Sequence, residues 1–321
     1  MKDFPGPESL QSQIPQIRIE DLDFSKMLRI LRVIVLAVIV IVLFMGLAWA
    51  RSFYTDWLWF SGVGHASVLM KVMTTRIWLF LVGAILFSAL AAPNLYAAFR
   101  AASRLPSEPG RGLPAETQAK AGKLLMWVAG GAAALAALFM GGKPASEWET
   151  VLRFLNGVSF DQIDPIFQKD FSFYIFALPA LNLARSWLMT AVVVILVIVA
   201  SFHYISATLR GDRFSLTGTV KSHLALLGAF LFALFAAGHW LGRYELLYSP
   251  TGAVYGVGYT DDHVTLPVRT LLTFVALVSA GLLVASIRYK TNRLILWAVG
   301  LWIGLNFLAG SIVPGLIQRL L

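Results

Sequence analysis

Three histidines lie in or beside apolar stretches and are the residues whose chemistry stands out first. They are His203, His223 and His239. Neutral imidazole is the commonest protein ligand for haem iron, and it also binds chlorophyll-type pigments. His203 and His223 can face each other from two antiparallel helices, whereas His239 lies roughly 24 Å further along its helix. The spacing favours interface histidines bonded to loops or lipid phosphate. No cofactor is therefore predicted, with haem or a chlorophyll-type pigment as the alternative.

A second group of polar residues follows the last of these histidines. Asp261, Asp262 and His263 come after a Gly-rich run, and Glu245 stands near its start. Carboxylate oxygens and one imidazole are a possible cation site. The segment has no EF-hand spacing, and the glycines lack the Lys-Ser/Thr of a phosphate-binding loop. Hydrogen bonds that cap a helix and fix the loop are the favoured interpretation.

The remaining polar residues do not indicate an enzyme. Asp161, Asp164 and Asp170 have the spacing of turn and helix-capping residues, and no arrangement of Ser, His and Asp with assignable roles is found. The chain has no cysteine, which excludes disulfides, thiolate metal sites and cysteine nucleophiles. We do not predict catalysis.

Seven apolar segments must position these groups. With 58% hydrophobic and 13% charged residues, the chain has too little polar surface for a soluble globule of its size. A helix needs about 20 apolar residues to cross the hydrocarbon core of a membrane. We predict an all-α polytopic membrane protein with a cytosolic tail at 1–32 and a seven-span membrane domain at 33–321. The predicted spans, which contain no Lys, Arg, Asp or Glu, are residues 33–50, 77–99, 124–142, 187–209, 222–241, 270–287 and 294–316.

The net charge of +9 is distributed asymmetrically between the segments that connect the spans. The N-terminal tail and every second loop hold 16 Lys and Arg against 8 acids, whereas the other side holds 10 against 9. Cytoplasmic loops of membrane proteins carry such an excess. The pattern predicts a cytoplasmic N-terminus and an extracytoplasmic C-terminus, and it disfavours nucleic acid as a partner.

Aromatic residues are concentrated in the predicted outer segments. Trp and Tyr favour the boundary between lipid and water, because their rings are apolar while their N–H or O–H groups reach water. We predict interfacial amphipathic helices on the outer face, the first of them a short helix after the first span. The candidate interface residues are Tyr54, Trp57, Trp59, Phe60, Phe171, Phe173 and Tyr174.

Three outer motifs resemble a known family. They are YTDWLWF with Gly64-His65, FLNGVSFDQIDPIFQKDFSFYIFALP and RYELLYSPTGAVYGVGYTDDHVTLP. Their order is similar to the membrane region of uncharacterised protein family 0182, a group of bacterial integral membrane proteins. The resemblance implies a seven-span region in a bacterial inner membrane. In the family this region is usually followed by a large extracytoplasmic domain, which the resemblance does not reach.

These observations predict a scaffold or accessory subunit of a larger membrane complex. The predicted spans offer no charged pathway, while the outer segments present aromatic area of the kind enriched in interfaces. The expected partners are the lipid bilayer and other membrane protein subunits, docked through lipid-facing helices or the aromatic outer segments. A transporter or channel is the first alternative, and a haem- or pigment-binding membrane subunit is the second.

Overall fold

The computed structural model describes residues 24–104, 114–212, 218–249, 256–289 and 291–309. Within these ranges the chain is helical with short π-helical and 3₁₀ turns, and it contains no β-strand. One isolated bridge joins Ile163 to Asp170. The all-α prediction is therefore confirmed for the described residues. The chain divides into two compact units, residues 1–71 and 72–321.

The first unit contains helix α1, Phe24–Gly62. Its 39 residues form one continuous helix, which contains the predicted span 33–50 and begins within the predicted tail. The short helix predicted after the first span is therefore not a separate element, but the last part of α1. No proline or glycine interrupts the chain between residues 47 and 61, and a helix propagates once it is nucleated. The helix ends in a glycine cap. Gly64 has φ +74° and the His65 N–H donates to the Phe60 carbonyl at 2.8 Å, which satisfies a terminal acceptor.

The other helices follow in simple order. Helix α2 is Ala66–Ser103, α3 is Ala115–Ser146, α4 is Trp148–Leu155, α5 is Leu178–Leu209, α6 is Gly218–Tyr244, α7 is Leu266–Tyr289 and α8 is Arg293–Phe307. A π-helical turn, Phe173–Ala177, leads into α5, and a second, Asp261–Thr265, leads into α7. A 3₁₀ turn, Glu245–Tyr248, follows α6.

Within the residues that the structure describes, five helical segments are long and apolar enough to cross a membrane, and they mark the chain as a membrane protein. They are Ala66–Ser103, Glu116–Ser146, Phe173–Leu209, Gly218–Tyr248 and Asp261–Tyr289. Each contains one predicted span and extends beyond it at both ends, except that Phe173–Leu209 and the predicted span 187–209 end at the same residue. The last predicted span, 294–316, corresponds to the shorter apolar helix Arg293–Phe307, and its residues after 309 lie outside the described part.

Helices α2, α3 and α5 share one core. Phe87 on α2, Ala133 on α3 and Val199 on α5 belong to the same buried cluster, and alanines on the facing sides let the backbones approach. At Gly141 the approach is so close that an added Cβ would lie 2.6 Å from the Phe80 carbonyl oxygen. The buried Trp187 indole N–H donates to the Met140 carbonyl at 2.7 Å, which joins α5 to α3.

Helices α6, α7 and α8 form a second core. Phe232, Leu283 and Ala298 meet there, and Trp302 stacks on Phe235 with ring centres 4.5 Å apart. The buried Ser279 hydroxyl donates to the Ala298 carbonyl at 2.9 Å, which satisfies a polar group inside the apolar interface. Helix α6 also packs along α5, so it connects the two cores.

Candidate functional site

The histidine pair is brought together as its spacing predicted. His203 Nε2 on α5 lies 3.4 Å from His223 Nδ1 on α6, with the rings nearly perpendicular. His203 is 3% exposed. The two imidazoles therefore face each other across an antiparallel helix pair, near the end of the bundle where α5 ends and α6 begins. We call this the histidine end.

A third residue, from α2, completes a hydrogen-bonded chain. The Asn94 amide nitrogen donates to the Leu90 carbonyl at 2.8 Å, and this orients the Asn94 oxygen toward His223. His223 Nε2 lies 2.9 Å from that oxygen and acts as the donor. His223 Nδ1 is then the acceptor for His203 Nε2. The chain Asn94–His223–His203 satisfies polar groups of three helices inside an apolar bundle.

A cavity lies next to these three hydrogen-bonded residues at the histidine end. Its volume is about 380 Å³. Ser206 on its wall is one helical turn from His203, and Lys123 and Arg210 add positive charge. The other lining residues are Phe99, Ala102, Ser103, Gln118, Ala119, Gly122 and Leu209. The cavity thus combines apolar walls with a basic edge.

His239 does not join the pair. It lies near the C-terminal end of α6, within electrostatic reach of Arg185 and Arg269 from the neighbouring helices. The sequence argument that separated it from His223 agrees with this placement. The cofactor-binding role of the three histidines stays a prediction.

The segment of residues 156–172, which we call the apolar loop, is built around Asp164. This carboxylate is 1% exposed. It accepts hydrogen bonds from the N–H groups of Ile166, Phe167 and Lys169 at 2.7–2.9 Å. The Tyr174 hydroxyl donates to it at 2.7 Å. Burial by itself raises the pKa of Asp164, but these four donors stabilise the charged form and hold the pKa below its ordinary value.

Asp170 fixes the two ends of the same loop. Its carboxylate accepts from the Ser172 N–H at 2.7 Å, the Ser159 hydroxyl at 2.9 Å and the Phe160 N–H at 3.3 Å. The hydrogen bonds from Ser172 and Ser159 lower the pKa of Asp170. The interpretation of Asp161, Asp164 and Asp170 as turn residues agrees with these contacts, and Asp161 itself occupies a left-handed turn position with φ +55°.

The apolar loop buries one carboxylate, Asp164, and exposes several apolar side chains. Val158 and Ile163 are each 62% exposed, and Phe160 and Ile166 are exposed as well. Val158 also lies in the wall of a groove of about 300 Å³, whose other lining residues are Phe154, Gly157, Ser159, Ser172, Phe173, Phe176 and Ala177. The loop lies outside the five helical segments that are long enough to span a membrane. The loop therefore has exposed apolar side chains, which we call its apolar face, on a backbone held in place by the hydrogen bonds of the buried Asp164 carboxylate.

The predicted interface residues of this region separate into two groups. Phe171 is exposed and belongs to the apolar face. Tyr174 is only 4% exposed, and its role as an interface residue stays a prediction. Its ring packs with Phe173 and Tyr248 beneath the loop, and its hydroxyl is used by Asp164.

The aromatic residues of the first motif are exposed on α1. Tyr54, Trp57 and Trp59 present their rings to the surroundings, while Phe60 is half-buried and packs edge-on against Trp59. Tyr54 and Trp57 stack with ring centres 6.2 Å apart. The last part of this long helix therefore carries three exposed rings and one half-buried ring.

The four candidate cation ligands do not converge in the described residues. Glu245 accepts from the Asn182 amide at 2.8 Å and lies 3.6 Å from Arg269. Asp261 is buried and receives the Gly258 N–H, whereas Asp262 and His263 are exposed and lie 3.5 Å apart. Among the described residues no three His, Asp or Glu side chains form a group able to hold a metal ion. The metal site stays a prediction.

Comparison with known proteins assigns the chain to a family. Residues 33–321 match the Uncharacterised protein family (UPF0182). The chain belongs to UPF0182. It is 34% identical to a UPF0182 protein of Thermobifida fusca over 290 residues, which is 87% of this chain and 28% of that protein. It is also 32% identical to a UPF0182 protein of Desulforamulus reducens over 300 residues, which is 86% of this chain and 32% of the relative.

These UPF0182 relatives are much longer than the matched region. The chain spans about a third of the length of the curated relatives it matches, and the UPF0182 protein of Cupriavidus necator gives the same proportion, with 34% identity over 88% of this chain and 31% of that protein. No solved structure matches the chain. The predicted family resemblance is confirmed.

Two features of the UPF0182 fold were not predicted. Asn94 lies inside the predicted span 77–99, but nothing in its spacing links it to His223, because the contact joins helices that are not consecutive. Arg185 and Arg269 lie just outside the predicted apolar segments, and the helices continue through them. The sequence signal that could have placed both arginines in helices was their position, one or two residues before a predicted span.

Proposed function

We propose that this chain is the membrane-embedded docking unit for a protein domain on the extracytoplasmic side of a bacterial inner membrane. The domain corresponds to the two thirds of the UPF0182 relatives that the chain does not match. The proposal combines the seven-span topology with the apolar loop as its main contact surface. It adopts the predicted cytoplasmic N-terminus and extracytoplasmic C-terminus.

The observation that carries this proposal is the set of exposed apolar side chains on the apolar loop, next to the buried Asp164. A flexible loop in water would expose Asp164 and hide Ile163, whereas here Asp164 is buried and Ile163 is exposed. The four hydrogen bonds to Asp164 fix the apolar side chains before any partner arrives. Such preorganisation lowers the conformational entropy lost on binding.

A protein domain suits this face better than lipid alone. The groove beside Val158 has walls from Phe154 and Phe176, and its size fits a side chain anchored at the centre of an interface. The curated relatives carry two thirds of their length beyond the matched region, which supplies a domain of the required kind. The exposed rings of Tyr54, Trp57 and Trp59 on α1 offer a second contact area for a membrane-embedded subunit.

Site-specific photocrosslinking in native membranes tests the proposal. A photoreactive residue at Ile163 or Ile166 is expected to form adducts with a polypeptide that matches the rest of the UPF0182 relatives, in the same chain or a separate one. A photoreactive residue at Trp127, an exposed position on α3, serves as the lipid-facing control. Adducts that contain only lipid at both loop positions would overturn the docking role.

A charge substitution sharpens this test. Ile163→Asp is expected to abolish the protein adduct formed from position 166, because it places a carboxylate in an apolar contact. Gln162→Glu is the matched control, since it adds the same charge at an exposed neighbour without removing apolar area. Equal loss of the adduct in both variants would show that charge alone, and no apolar docking surface, is responsible.

The Asn94–His223–His203 chain favours transport as a second candidate function. Intramembrane ionisable residues commonly mark ion or proton pathways. The cavity at the histidine end would give such a pathway an entrance. Proton flux into liposomes that contain the purified protein, compared with the His203→Phe variant, separates this candidate from docking. An optical spectrum of the same preparation tests the haem or pigment alternative.

A further inference from the structure

Three helices each contribute an arginine at the end of the bundle opposite the histidines, where α6 ends and both α5 and α7 begin. We call this the arginine end. Arg185 comes from α5, Arg243 from α6 and Arg269 from α7. The Asn182 amide donates to Glu245 at 2.8 Å and Glu245 lies 3.6 Å from Arg269, so these helix ends are in direct contact.

Two glycines on one face of α6 receive the arginine side chains. Gly238 and Gly242 are one turn apart on the same helix face. A Cβ at position 238 would lie 2.7 Å from Arg185 Nη1. Arg269 Nη1 lies against Gly242 and donates to its carbonyl oxygen. Any larger residue would displace these guanidinium groups, so the absence of side chains on the two glycines provides the space that the arginines occupy. We call this glycine pair the seat of the arginines.

Charge at the arginine end is not balanced. Glu245 is near Arg269, and the Arg243 guanidinium lies over the Trp240 ring at 4.1 Å. The Nε atoms of Arg185 and Arg243 are buried and have no hydrogen-bond partner among the described residues. Leaving a buried charged donor unsatisfied costs more than leaving a neutral one. The buried Nε–H groups of Arg185 and Arg243 are therefore donors that an anion could satisfy.

The geometry defines what kind of anion fits. Guanidinium groups bind phosphate and carboxylate through paired N–H donors. Gly238 and Gly242 are separated by about 6 Å of helix rise, so Arg185 and Arg269 are held at neighbouring levels along α6. A phosphate group, with oxygens pointing in several directions, can accept from both arginines at once. A single carboxylate presents its two oxygens on one side only.

We propose that Arg185 and Arg269, seated on Gly238 and Gly242, bind a phosphate group at the arginine end, with Arg243 adding positive charge. The phosphate group belongs either to an acidic phospholipid or to a soluble phosphate. The site is independent of the proposed docking role, because none of its residues lies in the apolar loop.

Lipid retention by the purified protein tests this site. The full chain in nanodiscs of phosphatidylcholine with a minor fraction of phosphatidylglycerol is analysed by native mass spectrometry for bound phosphatidylglycerol. Arg185→Gln is expected to weaken retention about tenfold, the loss of one charged hydrogen-bonding group. Arg153→Gln is the control, because Arg153 is exposed and paired with Glu149 at 3.0 Å. Equal retention by Arg185→Gln and Arg153→Gln would overturn the proposal.

A second variant keeps the proposal testable if Arg185→Gln does not fold. Gly238→Ala leaves every charge in place and moves only the Arg185 guanidinium, and we expect it to weaken retention severalfold. Gly130→Ala is its control, since a Cβ there meets nothing within 4 Å. Retention unchanged in Gly238→Ala would contradict the seat formed by the glycines.

Competition with inorganic phosphate identifies the source of the phosphate group. If millimolar inorganic phosphate displaces phosphatidylglycerol from the parent but not from Arg185→Gln nanodiscs, the site accepts soluble phosphate. If phosphatidylglycerol is retained at all phosphate concentrations and still lost in Arg185→Gln, the site is specific for the lipid. Both results support a phosphate site. Binding of neither ligand above the level of Arg185→Gln would refute it.

Discussion

Both ends of the helix bundle carry Lys or Arg side chains, but the two ends differ in the partners that these side chains have. At the histidine end, the buried Lys221 donates to the Thr291 carbonyl at 2.9 Å, and the buried Arg210 pairs with Asp212 at 3.1 Å. At the arginine end, the Nε atoms of Arg185 and Arg243 have no partner among the described residues. A cation with partners in its own chain stabilises the fold, whereas a cation without them is available to a ligand.

The apolar loop shows that the unpartnered arginines do not reflect a loosely built region. It lies at the same end of the bundle, and its buried carboxylate has four donors. The Tyr248 hydroxyl also donates to the Tyr174 carbonyl at 2.6 Å, which fixes the turn after α6 to the start of α5. This end therefore contains satisfied and unsatisfied charged groups side by side, and the distinction between them can be tested by substitution.

The largest effect is expected at Asp164. In Asp164→Asn an amide NH₂ replaces one carboxylate oxygen and faces donors from Phe167 and Ile166 or from Lys169 and Tyr174, so at least one buried donor is left unsatisfied. We expect a loss of about 3 kcal/mol in local opening free energy. Hydrogen exchange of the amides of residues 166–169 measures it.

Asp161→Asn provides the matched control for that substitution. Asp161 is exposed and its side chain contacts only the Ser159 hydroxyl among the hydrogen bonds described here, while asparagine tolerates its left-handed backbone. We expect a change within about 0.5 kcal/mol. Equal loosening of the loop in both variants would show that Asp164 is not its centre.

The next effect contrasts arginines at the two ends. Arg210→Gln removes a charged pair and the contact of Arg210 with the Ala102 carbonyl, so we expect a loss of about 2 kcal/mol in unfolding free energy. Arg185→Gln removes a group with a buried, unpartnered Nε, so in phosphate-free detergent it should be neutral or stabilising. Thermal unfolding of both variants gives the comparison. A similar loss in both would remove the distinction between the two ends.

Acid sensitivity of the apolar loop is a smaller effect that the pKa shifts predict. The pKa values of Asp164 and Asp170 lie below the ordinary value of 3.8 in the folded loop. Their contribution to stability is therefore complete well above pH 4, and it is lost as the pH falls below 3.8 toward the lowered folded values. Tyrosine fluorescence or hydrogen exchange of the loop between pH 6 and pH 2 would follow this, and the Asp164→Asn variant should show a weaker pH dependence.

The sequence predicted the helices well because their main cause is local composition. An apolar run of about 20 residues marks the hydrocarbon crossing, and five of the seven predicted runs lie inside helices that meet this requirement. Helix ends were less predictable. Apolarity marks where the hydrocarbon ends, but the helix continues until its backbone hydrogen bonds are interrupted, which is why Arg185 and Arg269 fall within helices and outside predicted spans.

Sites were predictable only where sequence neighbours define them. The facing of His203 and His223 follows from a short connection between antiparallel helices, and the turn role of Asp164 and Asp170 follows from their spacing. The contact of Asn94 with His223 and the seat of Arg185 on Gly238 depend on how helices distant in sequence pack together. No local pattern contains that information.

The smallest predicted effect tests whether the histidine end is as fully satisfied as its contacts indicate. A double-mutant cycle of Asn94→Ala and His223→Ala should give a coupling free energy of about 1 kcal/mol, because each single substitution already removes their shared hydrogen bond. The control cycle pairs Asn94→Ala with Asn306→Ala, since Asn306 donates to the Trp302 carbonyl of its own helix and should be uncoupled. Thermal or denaturant unfolding in detergent measures both cycles. A coupling near zero between Asn94 and His223 would mean that the hydrogen bond between them contributes nothing to the free energy of unfolding. The histidine end would then resemble the arginine end, because its polar groups would have their partners outside the protein.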